Sequence, residues 1–148
     1  MMAHVRKQIR DNIVTTLTGL ATTGSNVFRS RVYPMETSKF PGLAIYTDTE
    51  EIAPQTINPP RTQLRTLTVT IDCYVKGVSN FDNDLDTISE EVEEALAADL
   101  TRGGLAKDTR VSSFQADYSG EGEQPIASGK ISVEIDYVTV ENAVGTAA

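Results

Sequence analysis

Nothing in this sequence limits its fold more than the run from Leu67 to Val75, where Leu67, Val69, Ile71, Cys73 and Val75 alternate with Thr66, Thr68, Thr70, Asp72 and Tyr74. Successive side chains of a strand point to opposite faces, so the pattern predicts a strand with one apolar and one polar face. A second run repeats it, with Ile131, Val133, Ile135 and Tyr137 alternating against Ser132, Glu134, Asp136 and Val138. One-sided strands belong to an antiparallel or mixed sheet whose inner face is covered by helices and whose outer face is wet or open to a neighbour.

Two segments supply the cover. Val5, Ile9, Ile13, Leu17 and Leu20 fall on one face of a helix over 4–22, and Phe81, Leu85, Ile88, Val92 and Leu96 do the same over 80–100. Ser79 and Asp82 are placed to cap the second helix reciprocally, and Gly103 and Gly104 to end it. Short strands are expected at Val27 to Pro34, Leu43 to Thr47 and Val111 to Tyr118. Between Asp48 and Thr62, acids and three prolines predict a projecting arm at about 48–63, and small residues predict a flexible tail at about 142–148. The expected architecture is α+β, one domain over 1–148: a mixed or antiparallel five-stranded sheet with two amphipathic helices on one face, in the order α-β-β-β-α-β-β.

Charge narrows the partners. The formal net charge is −8, which repels a phosphate backbone and disfavours a sequence-reading nucleic-acid binder. It is unevenly spread: residues 1–65 hold 8 basic and 5 acidic side chains, residues 66–148 hold 5 and 16. If those halves occupy different faces, head-to-tail association is favoured. No apolar run has the length of a membrane span, and the stretch after Arg6, Lys7 and Arg10 is too rich in threonine for a secretory leader, so a soluble protein made in a cytoplasm is expected.

Sites for chemistry are hard to find. The single histidine, His4, is expected on the surface near a terminus, and the single cysteine, Cys73, shares the apolar face of the strongest strand. Asp82, Asp84, Asp86 and Glu93 imitate a calcium loop, but Thr87 stands where that loop needs glycine and the helical period contradicts a loop. Gly120 to Glu123 has the glycines of a phosphate loop without its lysine. No catalytic, cofactor or metal site is assigned, and the expected activity is not enzymatic. The candidates are for contact. Arg29 and Arg31 emerge from one face of the first strand, and Arg61 and Arg65 flank the far end of the arm opposite Glu50 and Glu51, to pair within a hairpin or across subunits.

Three segments in this order, Phe40-Pro41-Gly42-Leu43-Ala44-Ile45-Tyr46, Leu67 to Val75 after a polar arm, and Ile131 to Tyr137 after an acidic helix, give a wider resemblance. Over most of residues 4–138 the chain resembles the phage tail terminator family, similar to minor tail protein U of lambda-like phages. The resemblance implies a structural virion protein at the head-proximal end of the tail, assembled in the host cytoplasm. It implies a homo-hexameric ring that caps the tube of major tail protein, ends its polymerisation and meets the head-tail connector or neck protein, with DNA passing through the lumen without specific binding. A head-completion or neck adaptor remains the alternative, followed by a small non-viral interaction or ligand-binding domain.

Overall fold

The structure is a computed structural model and describes residues 3–29, 41–76, 80–119 and 126–148. Its elements are α1 (Val5–Leu17), β1 (Val27–Phe28), β2 (Gly42–Pro54), β3 (Thr62–Lys76), α2 (Phe81–Ala97), β4 (Asp108–Ser119) and β5 (Ile126–Val140). The fold is α+β in the expected order, and the five strands form one mixed sheet, β1-β2-β3-β5-β4. Only the β1 and β2 pair is parallel; the others are antiparallel.

The apolar face of β3 lies at the centre. Leu67, Val69, Ile71 and Cys73 are fully buried, as are Ile131, Val133, Ile135 and Tyr137 of β5 and Leu43 and Ile45 of β2. Against them pack Val5, Ile9, Ile13 and Leu17 of α1 and Leu85, Ile88, Val92 and Leu96 of α2, so both helices cover the same sheet face. Packing of these amphipathic stripes, more than intrinsic propensity, is what holds two helices of this length.

The ends of the elements differ from expectation for local reasons. Helix α1 stops at Leu17, not near residue 22, because the Thr18 hydroxyl turns back to the Val14 carbonyl and Gly19 takes φ 95°. Leu20, expected on the helix, packs on the core from the following turn. His4, expected on the solvated surface, is the N-cap of α1: its Nδ1 accepts from the Arg6 amide at 3.0 Å. Helix α2 starts after Asn80, which has φ 71° and makes no side-chain cap, in place of the expected Ser79 and Asp82 pair. Ser79 itself, the expected strand residues beyond 29 and the Gly120 to Glu123 reversal lie outside the described residues. The far end of α2 is closed by Arg102, fully buried at φ 52°, whose Nη2 donates to the Leu96 carbonyl at 2.5 Å and to the Asp99 carbonyl. A guanidinium at that end also meets the negative pole of the helix dipole.

The arm is better ordered than a loop. Strand pairing in β2 and β3 continues to Pro54 and Gln63, and β5 follows β3 out to Thr62 and Val140. Only 55–61 is the turn, with a cis bond between Pro59 and Pro60. Beyond β5 the chain turns back beside the start of α1. The Val5 amide donates to the Val144 carbonyl at 2.9 Å, the Ala148 amide to the Val138 carbonyl at 2.9 Å, and Ala147 packs on the core.

Candidate functional site

A single extra residue decides which charges of the hairpin are buried. Thr47 pairs with Val69 and Thr49 with Thr68, leaving Asp48 as a bulge. Side chains alternate strictly, so the bulge moves the rest of β2 to the other phase. Glu50, opposite Leu67, and Ile52, opposite Arg65, therefore point to the helix-covered face, whereas Glu51, opposite Thr66, points to the open one.

There Glu50 becomes the acceptor for three elements. Arg65 Nη1 donates to it at 2.8 Å, Arg6 Nη2 from α1 at 3.0 Å, and the Tyr137 hydroxyl of β5 completes the set. Side chains of Glu50 and Arg65 are each 6% exposed. Arg65 also donates through Nε to Thr139 at 2.9 Å and through Nη2 to Gln63 at 2.9 Å. A buried carboxylate without partners is costly, and here one guanidinium and one hydroxyl are aimed at it from within the sheet. Burial, together with the bond to Glu50, raises the Tyr137 hydroxyl well above its ordinary value, so it stays a donor. Burial first, then the positive charges of Arg6 and Arg65, lowers His4. The cluster fastens the base of the arm to the start of α1.

The residues singled out from sequence thus separate. Arg65 and Glu50 pair with each other inside the hairpin. Arg61 is exposed and reaches Glu141 at 3.3 Å, Glu51 is exposed on the open face, and Arg29 meets Asp11 of α1 at 2.5 Å. Lys7 also bonds Asp11 at 2.7 Å, and that bond chiefly lowers the Asp11 carboxyl. Arg31 lies outside the described residues. Sequence reasoning missed Arg6, Tyr137 and His4 as members of the cluster. A signal existed: Arg65 has the phase of Leu67 and Val69, so the alternation itself points it inward, where an arginine needs an acid.

The face not covered by helices is polar over most of its length. Arg110 of β4 bonds Asp136 at 2.7 Å and Glu134 at 2.9 Å, and this pairing holds the Asp136 carboxyl below its usual range. Asp72 accepts from Tyr46 at 3.0 Å and Tyr74 at 3.2 Å, at one wall of a cleft of about 240 Å³ that also includes Lys130 and Gln115. Towards the hairpin end the same face becomes apolar, with Ala53, Leu64 and Val138 side by side across three strands. Cys73 is buried on the other side, its thiol pushed up to about 12 by burial, which leaves it without nucleophilic use. The arrangement offers charged and apolar surfaces for contact, and its most perturbed groups serve to hold strands together.

The sequence model of the family described as phage minor tail protein U matches residues 4–137, from the cap of α1 to the buried tyrosine of the Glu50 cluster. The chain belongs to this family. No individual curated protein matches it. As a member of the phage minor tail protein U family it is a structural component of a phage tail, a virion part that works through contacts with other virion components. The match spans both helices, the hairpin and its turn, and leaves out 138–148, the segment that folds back beside α1.

Proposed function

We propose that this tail protein forms a homo-hexameric ring at the head-proximal end of the tail tube. The ring ends polymerisation of the major tail tube protein and presents its other side to the head-tail connector or neck protein. The observation that carries the reading is the hairpin of a tail-family chain: its root is fixed by the buried Glu50 cluster, while 51–61 are exposed and include Ile57 at 89%. A firmly rooted element with an apolar tip is suited to a repeated contact between subunits, and a contact between unlike surfaces closes into a ring when the rotation per subunit allows. Arg29, Glu51 and Arg61 are the surface charges that this reading assigns to subunit or tube contacts, with Glu50 and Arg65 setting the direction of the arm. DNA passes through the lumen without specific binding, which a chain of net charge −8 favours by repulsion. Assembly takes place in the host cytoplasm.

Electron microscopy of particles made after deleting the gene tests the reading. Overlong tubes without heads are the expected result. Tails of normal length beside filled, unattached heads would move the protein to a neck adaptor, and normal particles would remove it from assembly altogether.

A further inference from the structure

The helical layer carries opposite charge at its two ends. Helix α1 packs over β1 and β2, and α2 over β3, β5 and β4, so the free flank of α1 stands at the β1 edge of the sheet and that of α2 at the β4 edge. On α1 the flank is marked by Arg6 and Arg10, one turn apart, which reach Glu50 and Thr47 of β2 at 3.0 Å each. Arg29, just past β1, and Lys7 stand beside them with side chains 57% and 55% exposed, and both use the single carboxylate of Asp11. Glu50 is buried and also holds Arg65. Five cations thus meet two carboxylates, and the flank stays positive when the exposed Asp48 of the bulge is counted with it.

The flank of α2 is strongly negative. Residues 81–101 hold eight acidic side chains and no basic one; carried on to Arg110, the count is nine acidic against three basic. Glu91 turns towards α1, because Thr22, in the turn after that helix, donates to it through its amide at 2.9 Å and through its hydroxyl. With about 3.6 residues per turn, Asp82, Asp86 and Glu93 lie on the side of α2 away from Glu91. All three are exposed, and among the described residues none of them is in an ion pair. Glu93 and Glu94 come at the last turn, which has no basic residue and where the helix dipole disfavours an anion. A row of like charges held there without a cation is stabilised by a positive neighbour that the isolated subunit does not supply.

We infer that the α1 flank of one copy lies against the α2 flank of a second copy, with the helical layers side by side. The positive and negative flanks are at opposite ends of one layer, so each copy uses both and the contacts continue from subunit to subunit. A two-fold contact would instead bring acid to acid or base to base. The inference rests on the self-assembly proposed above, but not on closure after six copies.

Charge reversal tests it in the full chain, supplied to a host that makes the particle without its own copy of the gene and read as the amount of this protein in purified particles. Lys7→Glu with Arg10→Glu reverses one flank, and Asp86→Arg with Glu93→Arg reverses the other. Each variant alone is expected to lower incorporation roughly tenfold or more, with a melting temperature close to that of the parent because none of the four side chains is in the core. Co-expressed, the two variants are expected to return to within about twofold of the parent, since each then offers the flank that the other needs. Normal incorporation of either variant alone would overturn the inference. So would a failure of co-expression while both variants melt like the parent, because the flanks would then meet another component, such as a basic surface of the tube protein. If Arg10→Glu unfolds α1, Lys7→Glu with Arg29→Glu reverses the same flank from more exposed positions. The terminator reading fails separately, by normal tails after gene deletion, and absence of the parent protein from particles would remove both.

Discussion

Glu50 receives Arg65 at 2.8 Å on the covered side of the sheet, whereas its neighbour Glu51 points to solvent. Two adjacent glutamates of the same hairpin thus have opposite consequences. Glu50→Ala leaves the Arg65 guanidinium buried without its carboxylate and is expected to cost about 3–5 kcal/mol. Glu51→Ala is expected to change stability by less than about 0.5 kcal/mol. Urea unfolding of the two variants checks the contrast; equal effects would remove the Glu50 cluster as the anchor of the arm.

Asp48 is the extra residue of the ladder, since Thr47 and Thr49 already meet consecutive residues of β3. Deleting it closes the bulge and keeps Thr49 opposite Thr68 and Glu50 opposite Leu67, because alternation from Thr47 then places Thr49 outward and Glu50 inward. Deletion should therefore leave the Glu50 cluster intact and cost little more than Asp48→Ala. Thermal unfolding measured on both variants decides this, with a far lower melting temperature for the deletion as the contrary result.

Acid should loosen the start of α1 before it affects the rest. His4 caps the helix through an unprotonated Nδ1, and its pKa is lowered from 6.5, chiefly by burial. The unfolded chain consequently takes up a proton at higher pH than the folded chain does. Stability is full above the unfolded value and is lost as pH falls from about 6.5 towards the lower folded value. Asn caps well and does not titrate in this range, so His4→Asn should flatten the stability profile there. A profile of the variant parallel to that of the parent would refute the assignment.

Gly129 leaves room for the Phe114 ring, and no special backbone conformation calls for it. A methyl group at 129 meets the far end of the ring at 2.8 Å and 3.0 Å, and the ring is 42% exposed and free to turn outward, so Gly129→Ala is expected to cost less than about 1 kcal/mol. Phe114→Ala should remove most of that cost, and a double-mutant cycle measures the coupling directly. Additive effects would mean that the ring does not rest on this glycine.

Much of the architecture was legible because β3, β5 and the two helices follow simple periods. Cys73, Ile71 and Leu67 sit where alternation put them, and Val5 to Leu17 and Leu85 to Leu96 line the faces that their spacing specified. The arm was harder to read. Three prolines and two glutamates suggested a loop, yet strand pairing reaches Pro54 and resumes at Thr62, because the inward positions there are filled by a charge pair instead of apolar side chains. A bulge leaves no mark on composition; Asp48 can be recognised only against the partner strand, where Thr47 and Thr49 meet consecutive residues. His4 escaped notice as a cap because histidine is not among the favoured capping residues, although its ring nitrogen performs the same task.

Strand β3 is bonded on both sides, to β2 from Gln63 to Tyr74 and to β5 over all its 15 residues. A force along this strand acts across two ladders at once, so many backbone bonds must break together, whereas a pull across the sheet would open them one after another. A structural part of a phage tail is loaded mechanically as well as bound chemically. The direction in which β3 runs within the particle therefore decides whether the subunit resists that load in shear or peels apart.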